Sequence, residues 1–305
     1  MSGSNVQGAG SAPFLLMAVA SAVLMGTIGI ISRYAGVSAE TLTFYRLGLG
    51  AVLMLGYLLA VGQLRLLLVW PGWRVLINGG LLAAFIVCYV QAMLYTSMAN
   101  AIMMVYLSPV AASVVAHFCM GERLTPMGVG LILLALFGFA TMMEYRLSFG
   151  SGEDATGMGF AALAMLAYAG FILLNRVMPA RVPTYTRCWY QLLAGALCML
   201  PLMLQQGDHL QLEQWGWMLL AGLLPGFMAI LFAVIALREL PAATFGTLAY
   251  MEPIAVVTFG WLLFDQSLSP LQLSGCALIL GSGVAQALLN QRLERRARAR
   301  LAADA

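Results

Sequence analysis

The tetrapeptide Tyr-Met-Glu-Pro at residues 250–253 places the carboxylate of Glu252 in the middle of a long apolar segment. About ten residues separate Glu252 from either end of that segment, so its side chain cannot reach water by extending along a helix. An acid at such a depth is costly unless it lines an aqueous cavity, has a partner or is protonated. We therefore predict that Glu252 binds the amino group of a ligand or carries a proton. A structural carboxyl group, bonded to a neighbouring hydroxyl or to backbone freed by Pro253, is the alternative.

Two other apolar segments carry amide and aromatic side chains on one helical face, at spacings of seven, four and three residues. The residues are Asn78, Phe85 and Tyr89 in one segment and Tyr168, Phe171 and Asn175 in the other. Such faces suit a polar cavity that stacks an apolar ring. An aromatic belt at the membrane surface is the alternative for Tyr89 and Tyr168.

Arg46 lies roughly 10 Å inside its own apolar segment, given a helical rise of about 1.5 Å per residue. At this depth a long side chain can still reach the membrane surface. Two interpretations remain open for the guanidinium group. It either anchors a substrate carboxylate or bonds the ends of neighbouring helices and orients them.

The composition requires a membrane as the solvent for most of the chain. Of 305 residues, 62% are hydrophobic and 9% charged, whereas a soluble domain carries about 25% charged residues. A bilayer core needs roughly 20 apolar residues per helix. We predict ten spans: 14–36, 39–62, 72–95, 98–120, 125–145, 156–178, 184–205, 214–237, 242–264 and 270–291.

The arginines test this count. With a cytoplasmic N-terminus, twelve arginines fall in cytoplasmic connections and the C-terminal tail, and only Arg146 falls clearly on the other side. Such a bias is the positive-inside signal. We therefore predict a multi-pass protein of the bacterial inner membrane with both termini cytoplasmic, including a basic tail at 292–305.

An internal repeat relates the two halves of the chain. Tyr-x-x-Pro occurs at residues 106–109 and again at 250–253, and six further identities follow the same offset of 144 residues. Ser108 stands where the second copy has Glu252. Because each half holds five spans, the second copy must enter the membrane from the opposite side, which predicts inverted repeats.

Residues 97–139 resemble the EamA repeat of the drug/metabolite transporter superfamily. The shared pattern is an alanine-rich start, a mid-span proline, Gly-Glu-Arg-Leu at residues 121–124 and a glycine-bearing following helix; Phe-Tyr-Arg at 44–46 resembles the second helix of the repeat. The second half departs from this pattern, with Gln266 in place of Glu122 and Gln191 in place of Arg46. The tyrosine- and tryptophan-bearing spans are most similar to those of aromatic amino-acid exporters.

The resemblance implies an all-α integral membrane protein with one EamA repeat at 14–145 and a second at 156–291. The function to expect is secondary transport by alternating access, namely export of amino acids, above all aromatic and large neutral ones. Export of lipophilic cations is the main alternative, and a channel or a membrane-embedded enzyme belongs to another class. Pro109 and Pro253 are the candidate hinge residues, because each loosens a span that flanks the site.

The remaining sequence features narrow the list of partners. Motifs for nucleotide, metal or aspartyl chemistry are absent from the sequence, so we expect no cofactor and no enzymatic activity. The net charge of +3 comes from the tail, which leaves no basic face for nucleic acid. We expect amino acids and membrane lipid as partners; the oligomeric state is open, although a monomer is sufficient.

Overall fold

The computed structural model describes residues 11–121, 124–145, 154–179, 181–208, 210–264 and 267–303, and these residues form helices and short connections without a β-strand. Among these residues, nine helical stretches, three of them interrupted, are long and apolar enough to cross a membrane. A tenth, Pro126–Met142, is apolar and has 17 residues, which is the lower end of the range that spans a bilayer. The all-helical fold with two repeats of five spans is confirmed.

The helix bounds lie close to the predicted ones. In chain order the ten spans are Ala12–Ala35, Ala39–Ala60, Trp73–Tyr95, Met98–Val105 with Ser108–Met120, Pro126–Met142, Asp154–Arg176, Thr184–Gln206, Leu212–Ala221 with Gly222–Met228 and Ala229–Glu239, Ala242–Ala249 with Met251–Phe264, and Pro270–Ala303. A short 3₁₀ helix, Leu64–Leu68, connects spans two and three. The tenth helix continues beyond its predicted end at residue 291 and includes most of the basic tail.

Short sequence signals set the helix ends. Ser38, Ser97 and Thr125 each precede a helix and accept a hydrogen bond from the backbone N–H three residues later. Gly36 and Gly121 end helices in the left-handed conformation, with φ of 60° and 69°. These residues lie between consecutive predicted spans or at the first or last position of one.

The contacts between helices occur in symmetric pairs. The contact of spans three and six corresponds to the contact of spans eight and one. In the same way, the contact of spans four and six corresponds to that of spans nine and one, and the contact of spans three and seven to that of spans eight and two. Spans two and seven pack on each other, as do spans five and ten. A two-fold axis therefore exchanges the halves. With five spans in each half, the axis lies in the membrane plane.

The two ends of the bundle differ in charge. We call one the arginine-rich end, because Arg65, Arg74, Arg176, Arg181 and Arg238 lie there, and the other the acidic end, where Glu40, Asp154, Asp208 and Glu213 lie.

Hydrogen bonds join the two halves of the chain at both ends of the bundle. Asp208 accepts from the backbone N–H and hydroxyl of Ser38 at 3.0 and 2.6 Å at the acidic end. The Thr186 hydroxyl donates to the Leu66 carbonyl at 2.8 Å at the arginine-rich end.

Cysteine labelling tests the inverted arrangement. Gln63 and Gln206 are exposed in the structure, and five spans separate them. In a variant lacking the five native cysteines, we expect Gln63→Cys to react only after the membrane is permeabilised and Gln206→Cys to react with an impermeant reagent on intact cells. Labelling of both from the same side would contradict an odd number of spans between them.

Candidate functional site

The two Tyr-x-x-Pro elements meet at the centre of the molecule. Spans four and nine each break at the tyrosine, and the proline that follows lies within the first three residues of the next helical segment, where its missing N–H is tolerated. The break frees the Tyr106 carbonyl, which accepts a hydrogen bond from the Tyr250 hydroxyl at 2.5 Å. The two rings lie 5.5 Å apart between centroids. Pro109 and Pro253 are both buried beside these breaks, so the expected interruptions are present; their role in gating stays a prediction.

Glu252 breaks the symmetry of this centre. Its counterpart Ser108 is fully buried and donates its hydroxyl to the Val105 carbonyl, within its own span. Glu252 is instead partly exposed, and the Tyr106 side chain lies close enough to hydrogen bond to its carboxylate. The neighbouring hydroxyl expected under the structural interpretation is therefore present. One tyrosine hydroxyl leaves most of the acceptor capacity of a carboxylate unused.

Arg46 is the positive group that acts on Glu252. The two charges interact electrostatically, yet within the part of the chain that the structure describes no direct ion pair joins them. The Arg46 side chain is 8% exposed, and its Nε is buried without a hydrogen-bond partner among the described residues. The Nη2 of Arg46 donates to the sulfur of Met25, a weak acceptor, at 3.7 Å.

Arg187 shows what a structural arginine looks like in this fold. Its side chain is 1% exposed, and it donates to the carbonyls of Val182, Pro179 and Met178 at 3.0, 2.5 and 3.4 Å. Arg187, near the start of span seven, is thus bonded to the connection that follows span six. Arg46 makes no bond of this kind to any described residue, which favours the interpretation of Arg46 as a ligand anchor over that of a helix-orienting residue.

Aromatic side chains form a wall beside the two charges. The Tyr168 ring stacks on Phe85, with centroids 4.8 Å apart, and Phe85 stacks on Tyr89 at 6.2 Å. Tyr89 and Tyr168 both lie within the electrostatic field of Glu252, and Tyr168 also lies within that of Arg46. The three rings are partly exposed, whereas Phe171 is 3% exposed and stacks behind Tyr168 at 6.2 Å.

The structure separates the predicted amides from this wall. Asn78 is fully buried, and Asn175 is 1% exposed. The Asn175 amide donates to the Phe171 carbonyl at 3.1 Å and accepts from Gln191 at 2.9 Å. Of the seven predicted site residues, Arg46, Glu252, Tyr89 and Tyr168 lie together in this conformation, whereas Asn78, Asn175 and Phe171 are buried away from the two charges. Ligand binding stays a prediction for all seven residues.

Sequence reasoning missed two features of the site. Tyr106 was noted in the repeat without being assigned to the site, although it approaches Glu252. Span eight was predicted to be continuous, but it contains a π-helical segment, Gly222–Met228, around Pro225. Gly226 in this segment packs so close to the Arg46 carbonyl that a Cβ would lie 2.3 Å from the oxygen. A proline between two glycines inside an apolar run was the available signal.

The Gly-Glu-Arg-Leu motif is only partly described. Glu122, Arg123 and Gln266 lie outside the described residues. At the edge of the motif, the backbone N–H of Leu124 donates to Nδ1 of His117 at 3.3 Å. His117 thus forms a hydrogen bond at a helix end, far from the central charges.

Comparison with known proteins places the architecture among transporters. The sequence matches the profile of the "EamA-like transporter family" twice, at residues 12–143 and 155–285. An uncharacterized transporter of Archaeoglobus fulgidus is 27% identical over 267 residues, 86% of this chain and 92% of the relative. Pseudopaline exporter CntI of Pseudomonas aeruginosa is 25% identical over 277 residues, 89% and 94% of the two chains.

Two further comparisons cover the function class and the fold. Threonine/homoserine exporter RhtA of Escherichia coli is 30% identical over 144 residues, 45% of this chain and 47% of the relative. A solved crystal structure superposes with a TM-score of 0.81 at 24% identity, covering 92% of this chain and 99% of the other. These names support small-molecule export at the family level and do not single out aromatic amino acids.

The contrast between the two arginines predicts opposite effects on stability. Arg187→Met should lower the melting temperature of the purified protein by roughly 5 °C or more, since unsatisfied buried groups cost about 1–3 kcal/mol each and 1 kcal/mol corresponds to about 2–4 °C. Arg46→Met should leave the melting temperature unchanged or raise it, because a buried charge without an oxygen partner is removed. A large decrease for Arg46→Met would mean that this guanidinium is structural.

Proposed function

Because this chain belongs to the EamA-like transporter family, we propose that it exports amino acids across the bacterial inner membrane, preferring aromatic and large neutral ones. The observation that carries this proposal is the pair of opposite charges at the centre. Arg46 and Glu252 act on each other electrostatically, and no direct ion pair joins them among the described residues. A zwitterionic amino acid presents a carboxylate and an ammonium group on one carbon, so a single substrate offers a counter-charge to each of the two residues.

The substrate supplies each of the two charges with the oppositely charged hydrogen-bond partner that the protein does not provide. A carboxylate satisfies the guanidinium of Arg46 with the planar, bidentate geometry that arginine favours. An ammonium group donates to the carboxylate oxygens of Glu252 that Tyr106 leaves free. Two charges that are costly inside the membrane thereby become paired only when the substrate is bound.

The aromatic wall accounts for the preference among amino acids. The rings of Phe85, Tyr89 and Tyr168 form a stacked series beside Glu252. A further stacked ring adds about 0.5–1.5 kcal/mol beyond the area that it buries. Phenylalanine, tyrosine and tryptophan should therefore bind better than small neutral amino acids. The relative named threonine/homoserine exporter supports amino acids as the substrate class.

Export of lipophilic cations is the second candidate. The tyrosines near Glu252 could hold a cation over their rings, with the carboxylate as its counter-charge. Arg46 argues against this function, because its guanidinium acts on the same site and repels a substrate that has no carboxylate.

Transport proceeds in this proposal by rocking of the two halves about the in-plane axis. The interruptions at Pro109 and Pro253 supply the flexible points of spans four and nine, next to the bound substrate. The N- and C-termini lie in the cytoplasm, so the arginine-rich end is the uptake side. A monomer contains the whole site and uses no cofactor.

Replacement of Glu252 tests its role in binding. Glu252→Gln keeps the shape and removes the charge, so we expect labelled phenylalanine transport in proteoliposomes to fall by about tenfold or more, as for loss of a charged hydrogen bond. Glu213→Gln, at an exposed acid of the acidic end, should transport normally. Normal transport by Glu252→Gln at an unchanged protein level would remove the carboxylate from the mechanism.

Competition between two related ligands tests the role of Arg46. Phenethylamine has the ring and the ammonium group of phenylalanine without its carboxylate. We expect phenylalanine to compete for transport better than phenethylamine in the wild type, and Arg46→Gln to reduce or abolish this difference. Equal or better competition by the amine in the wild type would favour the lipophilic-cation exporter.

A further inference from the structure

A second group of buried polar side chains lies away from the central charges, near the arginine-rich end. Asn78 stands five residues after the start of span three, and Gln191 stands seven residues after the start of span seven. Both side chains are 0% exposed. Neither Nδ2 nor Oδ1 of Asn78 has a hydrogen-bond partner among the described residues, and Oε1 of Gln191 also lacks one.

The packing of spans three and seven brings these two turns together. A Cβ on Gly79, the residue after Asn78, would lie 2.6 Å from the Gln191 carbonyl and 2.7 Å from the Cβ of Ala194. The two backbones are therefore in direct contact at this level. Gln191 also donates to Asn175 of span six at 2.9 Å, which ties the third neighbouring helix to the same group.

The two-fold axis relates this group to the central site. Gln191 follows Arg46 by 145 residues, and each stands seven residues after the start of its helix. The close approach of Gly79 to the Gln191 backbone has its counterpart in the approach of Gly226 to the Arg46 backbone. Gln191 thus lies as far from the arginine-rich end as Arg46 lies from the acidic end, and the two-fold axis relates the two positions.

We propose that Asn78 and Gln191 form a second substrate subsite, which holds the amino-acid head group on the arginine-rich side of the central site. The unpaired Oδ1 and Oε1 atoms accept hydrogen bonds from an ammonium group, and the unpaired Nδ2 donates to a carboxylate. The subsite is closed in this conformation, since both side chains are fully buried, and it becomes accessible when that side of the transporter opens.

Neutral amides suit a subsite on a transport path. They recognise both ends of a zwitterion without a full charge, so they hold the substrate more weakly than Arg46 and Glu252 do and release it readily to the central site. The assignment of an amino acid as the ligand rests on the proposed function. The existence of a polar subsite rests independently on the unpaired atoms and on the symmetry.

The test compares Asn78→Leu with the wild type in three measurements. In inside-out membrane vesicles, which present the arginine-rich end to the medium, the KM for labelled phenylalanine should rise by about tenfold, as expected when hydrogen bonds to a charged head group are lost. The Kd for phenylalanine of the purified protein should change less than about twofold, because the central site is intact. The melting temperature should be equal or higher, because an unsatisfied buried amide is replaced by an apolar side chain.

Gln286→Leu is the matched control. Gln286 is also a buried amide with an unpaired Oε1, but it donates to Thr244 between spans nine and ten, so its replacement should leave the KM unchanged. A wild-type KM for Asn78→Leu would overturn the subsite and make Asn78 a structural residue. An equal KM increase in both variants would also overturn it. Absence of phenylalanine uptake by wild-type vesicles would instead contradict the proposed function, and with it the ligand assigned to the subsite.

Discussion

Two opposite charges inside a membrane, kept apart from each other, are the constraint on which this structure depends. A direct ion pair between Arg46 and Glu252 would satisfy both groups and would leave little for a ligand to bind. The fold instead places them on spans two and nine, where they interact electrostatically and form no direct ion pair among the described residues. In the proposed function the cost of this arrangement is recovered when a zwitterion binds, so affinity and recognition have the same physical origin.

The inverted repeat explains how such a site can exist in an otherwise apolar bundle. Helix breaks at Tyr106 and Tyr250 bring backbone carbonyls and tyrosine hydroxyls to the two-fold axis, where a continuous helix would present neither. On this symmetric frame single substitutions create the asymmetry that a directional site requires. Glu252 faces the site, whereas its counterpart Ser108 bonds to its own helix. Arg46 likewise has the neutral Gln191 as its counterpart.

Most of the architecture could be predicted, because a bilayer requires long apolar helices and because most arginines lie in the connections on one side of them. Glu252 was identifiable as a candidate for the same reason, since an acid at mid-depth is costly without a partner. The amides Asn78 and Asn175 were harder to place, because helical spacing gives the face of a residue and not the neighbour that covers it. The π-helical segment at Pro225 was missed because its geometry depends on packing against Arg46 of another span.

An experimental structure of the protein with bound phenylalanine would test the account most directly. We expect the ligand carboxylate to lie about 2.7–2.9 Å from the Arg46 guanidinium, with the ammonium group at a similar distance from Glu252. The phenyl ring should stack in the series formed by Phe85, Tyr89 and Tyr168. A bound ligand that leaves Arg46 without an oxygen partner, or that places its carboxylate away from Arg46, would contradict the central claim.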